Sequence, residues 1–259
     1  MNDLSLQIFA DILYLSERDR VPILPLSEHR STITVSDAYA IQMKNVDRVV
    51  AMGYDTSGKK IGLTSQVMQR QLGATEPDYG HIFIAMDCRD GIVDTTQLIQ
   101  PKIEAGLAFI LGADLVGGRA TADIVRAATD YVVCAFEIID SRVAYWKTKL
   151  VDTIADNASS GRYILGDKRL GISDIDLAAV SMKLYKNGVL AEEGTGANVM
   201  GDPAIAVAWL ANRLWFYGIP LKKGEIILSG AFSAAPDAMQ GDVFNAQFST
   251  FGNLLAEFR

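Results

Sequence analysis

Pro101-Lys102-Ile103-Glu104-Ala105-Gly106-Leu107-Ala108-Phe109 has the texture of a buried strand interrupted by one acid. Residues i and i+2 of an extended chain share a face, so Glu104 and position 106 aim into the same space. Glycine at 106 brings no side chain to that space. About thirty residues on, Phe136-Glu137-Ile138-Ile139-Asp140-Ser141-Arg142 again sets acids inside an apolar, strand-like run. An ionised carboxylate there is costly unless it is paired or bound to a metal. Two such interruptions point to one shared site.

The rest of the chain narrows what that site can be. Its 259 residues are enough for a substantial core, as one large domain or as a domain with a smaller appendage. A formal net charge of -7 and an isoelectric point near 4.9 argue against a nucleic-acid or anionic-membrane surface, because no basic run is present to neutralise phosphates. A small-molecule substrate is expected instead. Met1-Asn2-Asp3-Leu4-Ser5 lacks the basic flank and apolar stretch of a signal peptide, and no later run approaches membrane-spanning length, so a cytoplasmic location is expected. Cys88 and Cys134 are too few and too far apart for a zinc knuckle or a disulfide framework. With His29 and His81 the only histidines, any metal must be held by oxygens, which favours Mg²⁺ with Mn²⁺ as a substitute.

Helical periodicity covers Leu4 to Leu15 and Ser36 to Met52, the second with Tyr39, Met43, Val46 and Val50 on one face and Ser36 as its start signal. From Gly58 the texture changes to short apolar runs broken by Gly, Asp and Pro. Strands are expected at 60–63, 81–86, 98–111, 131–139, 162–165, 178–186, 189–193, 225–229, 242–248 and 253–258, with Asn187-Gly188 as a hairpin turn. A late helix fills 204–217, with Asp202 as its cap, Pro203 in its first turn and Gly218 as its terminator. Its aromatic residues fall at helical spacing and are expected in the core. These features predict an α+β chain, with a helical region at 1–56 and a strand-rich catalytic core at 57–259.

Six segments carry a resemblance. They are Gly58-Lys59-Lys60-Ile61-Gly62-Leu63-Thr64-Ser65, Glu76-Pro77-Asp78-Tyr79-Gly80, the Pro101–Phe109 strand, Glu137–Arg142, the 151–161 stretch ending Asp156-Asn157-Ala158-Ser159-Ser160-Gly161, and Gly224-Glu225-Ile226-Ile227-Leu228-Ser229-Gly230. In order and spacing they resemble the 2-hydroxypenta-2,4-dienoate (2-oxopent-4-enoate) hydratases and the similar 4-oxalocrotonate decarboxylases of the fumarylacetoacetate hydrolase superfamily. The Lys-Ile-Gly-Leu-Thr and Pro-Asp-Tyr-Gly forms look more like the hydratases.

The resemblance implies a mixed β-sandwich or roll behind the N-terminal helices. It also implies a hydro-lyase of aromatic meta-cleavage catabolism, adding water to the dienoate to give 4-hydroxy-2-oxopentanoate, and a homo-oligomer, in some relatives assembled with a decarboxylase partner subunit. Three carboxylates would hold a divalent metal, matching Glu104, position 106 and Glu137; Gly106 occupies the expected third ligand position. Lys60 would act as general acid or base with a pKa lowered in the cleft, Asp78 on its turn would orient water, and Ser160 would hydrogen-bond the substrate carboxylate.

Plainer readings stand beside these. Lys60 also fits a solvated strand end, Asp78 an Asx-turn, and Glu104 and Glu137 ion pairs with Lys102 or Arg142. Asp140 and Arg142 are expected to pair with each other. Asp202 is read as a cap, and Phe232, in a loop unlike the family's, as part of the pocket wall.

Gly106 removes one oxygen donor and one negative charge from a hard-cation site, so weak Mg²⁺ or Mn²⁺ binding that depends on substrate is expected. Three readings stay open: a hydratase with a weakened metal site, a decarboxylase acting on a similar 2-oxo acid, or a non-catalytic homologue that binds a ligand or supports a partner.

Overall fold

A computed structural model describes residues 1–65, 69–70 and 73–259. Helices lead the chain: α1 (Asp3–Asp19), α2 (Leu26–His29) and α3 (Val35–Ala51). Asn2 caps α1 by accepting from the Ser5 amide. The capping box of α3 uses Thr34 and Asp37 rather than Ser36, so this helix begins one residue earlier than expected. Its inner face buries Ala38, Tyr39, Ile41, Gln42 and Val46. Fully burying one side chain such as Ile41 contributes about 1.5–3 kcal/mol, which is what docks so short a helical layer. Asp152 fastens it further, accepting from the Ser27 amide at 2.8 Å and hydroxyl at 2.7 Å.

Two mixed sheets follow. The first runs β2 (Asp78–Phe83), β1 (Thr56–Gly62), β9 (Ile226–Ala231), β4 (Pro101–Leu111), β5 (Thr129–Asp140), β6 (Ser160–Leu165). The second runs β3 (Ile92–Val93), β11 (Gly252–Phe258), β10 (Val243–Phe248), β7 (Ser181–Lys186), β8 (Val189–Thr195). Among the strands of the described residues, β1 with β9 and β3 with β11 pair in parallel and the others antiparallel. Edge strands β2 and β6 come close to each other, so the six-stranded sheet curls into a half-barrel.

Short helices α4 (Ala122–Ala128) and α5 (Leu150–Ala155) were not foreseen. They carry only one or two turns, too few for a periodic signal. The late helix α6 (Pro203–Trp215) starts as expected, with Asp202 accepting from the Ala204 amide at 2.8 Å. Its C-terminal aromatics depart from expectation: Trp215 and Tyr217 are about half exposed and Phe216 is 80 % exposed, because the helix ends at Trp215 and its last turn leaves the core. Asn187 and Gly188 both have positive φ, as a tight hairpin between β7 and β8 requires. No helix among the described residues is long and apolar enough to cross a membrane.

Alternation along β4 sets the layering. Ile103, Ala105, Leu107 and Phe109 belong to the main core, which also takes in Phe136, Ile138, Leu184, Phe244 and Phe258. Phe232 joins this core, edge-on to Phe248, and so faces away from the cleft where a pocket wall was expected. Glu104, Gly106 and Ala108 face the other way, into the half-barrel. There a smaller apolar cluster of Ile82, Ala108, Val133, Ala135, Tyr163 and Leu228 fills one end. Polar residues occupy the other.

On the outer face of β2, His81 is buried beside Tyr79 and opposite Lys59 in the β1–β2 register. Burial, reinforced by the Lys59 charge, pushes its pKa from 6.5 down to about 3. A depressed pKa means that the unfolded chain takes up the proton first. The stabilising contribution of neutral His81 is therefore complete above pH 6.5 and is lost as pH falls toward 3. Denaturant titrations of the parent and of His81→Asn between pH 7 and 4 are expected to converge as pH falls; a constant gap would contradict this burial.

Candidate active site in the half-barrel

The β4–β5 register pairs Glu104 directly with Glu137, and the β1–β2 register pairs Lys60 with Gly80 and Gly62 with Asp78. Lys60, Asp78, Glu104 and Glu137, the four candidate side chains, therefore line the concave face of one sheet. Lys60, Asp78 and Glu137 are buried, while Glu104 is partly exposed. The Lys60 ammonium lies 2.9 Å from Glu137 Oε1 and donates to the Ala158 carbonyl at 3.0 Å. Glu137 is thus paired with Lys60, and Lys102 with Asp237 on the surface.

Asp78 opens strand β2 instead of sitting on a turn. Neither of its carboxylate oxygens makes a well-formed hydrogen bond among the described residues. It fits because residue 62 is glycine: a Cβ there would lie 2.2 Å from Asp78 Oδ1. Gly106 has a comparable reason. It borders the cleft with Glu104 and Glu137, but a Cβ on it would meet the Gly230 carbonyl oxygen at 2.3 Å. Backbone therefore fills the space where a longer side chain at 106 would begin.

Charge shapes the chemistry. Burial raises Asp78 to about 6 against the pull of Lys60. Burial and then the Glu137 charge raise Glu104 to about 7. Glu137 is also raised by burial, with Lys60 opposing. For Lys60 itself burial favours the neutral amine, but Glu137, Glu104 and Asp78 together outweigh it and hold the pKa above its ordinary value. The expected lowering is thus reversed: Lys60 is an ammonium facing three carboxyl groups.

Ser160 is buried, and its hydroxyl donates to the Asn157 carbonyl at 2.7 Å. Reaching a substrate would require that hydroxyl to rotate. Arg142, expected to pair with Asp140, instead forms a buried ion pair with Asp156. Asp140 accepts from the Ile99 and Gln100 amides, a role that backbone geometry, invisible in the sequence, assigns to it.

Sequence reasoning also missed the Asp156–Ser159 turn. Asn157, Ala158 and Ser159 have φ of 54°, 50° and 54°, a left-handed run that costs about 1–2 kcal/mol per residue. The sequence signal was slight: an Asn beside small residues tolerates this conformation.

Among the described residues no group of three or more His, Cys, Asp or Glu side chains is arranged to hold a metal ion. Glu104 and Glu137 still form a cross-strand pair of carboxylates that could hold a cation. Were Asp78, Glu104 and Glu137 all ionised, they would carry two negative charges beyond what Lys60 balances, and the raised Glu104 holds part of that charge as a proton instead. That donor set suits a hard divalent cation whose other positions are filled by water or substrate oxygens. The cleft itself encloses only about 10 Å³, room for about one water. A larger cavity of about 320 Å³ lies between α1, α3 and the β2–β6 edges, lined by Gln42, Asn45, Phe83, Arg142 and Arg162. Its volume is greater, and Ser160 and Asn157 are in its walls, but Lys60, Asp78, Glu104 and Glu137 are not.

Residues 86–259 match the family described as fumarylacetoacetate (FAA) hydrolase C-terminal. A 2-keto-4-pentenoate hydratase of Paraburkholderia xenovorans (strain LB400) is 43% identical over 250 residues, spanning 96% of this chain and 93% of the relative. A 2-oxo-hept-4-ene-1,7-dioate hydratase of Escherichia coli is 39% identical, with 97% of each chain covered. The solved 4-oxalocrotonate decarboxylase from Pseudomonas putida G7, complexed with magnesium and adipate, superposes with a TM-score of 0.97 at 33% identity, covering 100% of this chain and 99% of that one. With this family model matched over two thirds of its length, the chain belongs to the fumarylacetoacetate hydrolase family.

Proposed function

We propose that this chain is a hydro-lyase that adds water to 2-hydroxypenta-2,4-dienoate, giving 4-hydroxy-2-oxopentanoate in the breakdown of aromatic compounds after meta ring cleavage. The observation that carries the reading is the joint placement of Lys60, Asp78, Glu104 and Glu137 on one concave face, in a chain 39–43% identical to curated hydratases. Identity to the decarboxylase is lower, at 33%, which favours hydration over loss of CO₂.

In this scheme the C2 hydroxyl loses its proton and C5 gains one, giving 2-oxopent-3-enoate. Water then bonds to C4, the electron pair moves toward the C2 oxygen, and protonation at C3 completes the addition. Glu104 and Glu137 would hold Mg²⁺ or Mn²⁺, which when bound supplies Lewis-acid polarisation of a 2-oxo acid. Lys60, as an ammonium, offers a proton or hydrogen bond to the oxygen on which charge develops. Asp78 is ionised near neutral pH and short of hydrogen bonds, and takes the proton of the attacking water. Ser160 is assigned to the substrate carboxylate. A catalytic core at 57–259 carrying all of these residues is part of the same proposal.

A cytoplasmic setting is supported by the unpaired Cys88 and Cys134. Exposed Trp215, Phe216 and Tyr217 support a homo-oligomer. A decarboxylase subunit is retained as a candidate partner.

Steady-state assay with the dienoate in Mg²⁺ is expected to show hydration that falls at least a hundredfold in Lys60→Met. No turnover by the parent chain with either Mg²⁺ or Mn²⁺ would remove the proposal, and CO₂ release from 2-oxohex-3-enedioate would redirect it. Gly106 separates packing from ligation. Gly106→Ala and Gly106→Glu are each expected to cost about 1–3 kcal/mol of unfolding free energy, because both carry the Cβ that meets Gly230. In Mn²⁺ titrations only the glutamate variant is expected to bind at least tenfold more tightly, and adding pyruvate should tighten Mn²⁺ binding to the parent. Unchanged Mn²⁺ affinity in Gly106→Glu would contradict a cation site beside residue 106.

A further inference from the structure

The carbonyl that receives the Lys60 ammonium belongs to Ala158, the middle residue of the left-handed run. L-residues do not hold that conformation unaided, so something must impose it. Two sets of contacts do. Behind the turn, the buried Asp156 accepts from the Ser141 and Ser159 hydroxyls at 3.2 Å each and from the Arg142 backbone amide at 3.1 Å, in addition to its ion pair. In front, the Asn157 side chain accepts from the His81 amide at 2.7 Å and donates to the His81 carbonyl at 2.9 Å.

Those two bonds resemble one rung of a strand ladder. They fall on β2, an edge strand of the six-stranded sheet, one residue beyond Gly80, the cross-strand partner of Lys60. Asparagine is the side chain that presents a donor and an acceptor together at this reach; aspartate lacks the donor and glycine lacks both. The turn is thereby referenced to the strand pair that carries Lys60, and the ammonium is held between Ala158 and Glu137 at 3.0 and 2.9 Å.

We propose that Asn157 is a positioning residue for Lys60: by bridging to the His81 backbone it fixes the left-handed turn and places the Ala158 carbonyl where it orients the ammonium. In this role Asn157 acts through the carbonyl of its neighbour. The catalytic consequence rests on the proposed hydration, whereas the structural consequence does not.

Two readouts keep these apart. In protein labelled with ¹⁵N-lysine, with the Lys60 resonance assigned by its loss in Lys60→Arg, the ammonium protons are expected to exchange slowly with water in the parent. Asn157→Gly and Asn157→Ala are expected to lose that signal at a temperature where both remain folded by circular dichroism, and Asn157→Asp, which keeps the acceptor, to retain it in part. Glycine tolerates the left-handed conformation, so a normal signal in Asn157→Gly would overturn the bridging role. Absence of the signal in the parent would overturn the placement of Lys60. With the dienoate, kcat is expected to fall about tenfold to a hundredfold in Asn157→Gly, with KM changed less than threefold and partial recovery in Asn157→Asp. Equal losses in kcat and 1/KM would contradict a positioning role. A parent that shows the slow-exchanging signal but no hydration would refute the proposed reaction and leave the positioning of Lys60 standing.

Discussion

Antiparallel pairing of β4 with β5 puts Glu104 opposite Glu137, and the rest of the site answers that juxtaposition. Like charges directly opposite each other on a sheet destabilise it, and burial makes the repulsion worse. Lys60, reaching across from β1, offsets one of the two charges. Removing that ammonium would leave Glu137 buried and unpaired, at a cost of about 3–5 kcal/mol. The outer face of the same strands supplies the stability that tolerates this arrangement, since Ile103, Ala105, Leu107, Phe136 and Ile138 are all buried in the main core. Reactive groups and core thus alternate residue by residue along two strands.

Much of this was legible in the sequence because strand periodicity and charge are local. Acids interrupting the apolar runs at 104 and 137 identified the shared face, and Asp202-Pro203 identified the start of the late helix. Legibility failed where the answer depended on approach between distant backbones. Gly62 and Gly106 are explained by what their missing Cβ atoms would strike, namely Asp78 and the carbonyl of Gly230. Arg142 chose Asp156, fourteen residues away, over Asp140, two residues away, because β5 ends between them and the chain returns through α5. The pKa of Lys60 depended on three acids from three other strands, and no single segment carries that sum.

The site is therefore a set of close approaches more than a preformed pocket. A cleft of about 10 Å³ lies beside Glu104 and Glu137, bordered by the backbone of Gly106 and Gly230, and Lys60 links Glu137 to the strained 157–159 turn. Anchors outside the cleft hold the turn that faces Lys60. The Arg142–Asp156 pair and the Asn157–His81 bridge supply such anchors. Gly106 leaves this framework intact and offers no oxygen donor beside Glu104 and Glu137, so in the proposed site more of a cation's coordination would fall on water and substrate.

The central claim is that this constellation adds water across the conjugated system at C4. Turnover of the dienoate in ¹⁸O-water, followed by mass-spectrometric fragmentation of the product, tests it most directly. The account predicts one ¹⁸O in the C4 hydroxyl, formed by the parent and not by Lys60→Met. An unlabelled C4 position, or a product that has lost its carboxylate as CO₂, would contradict it.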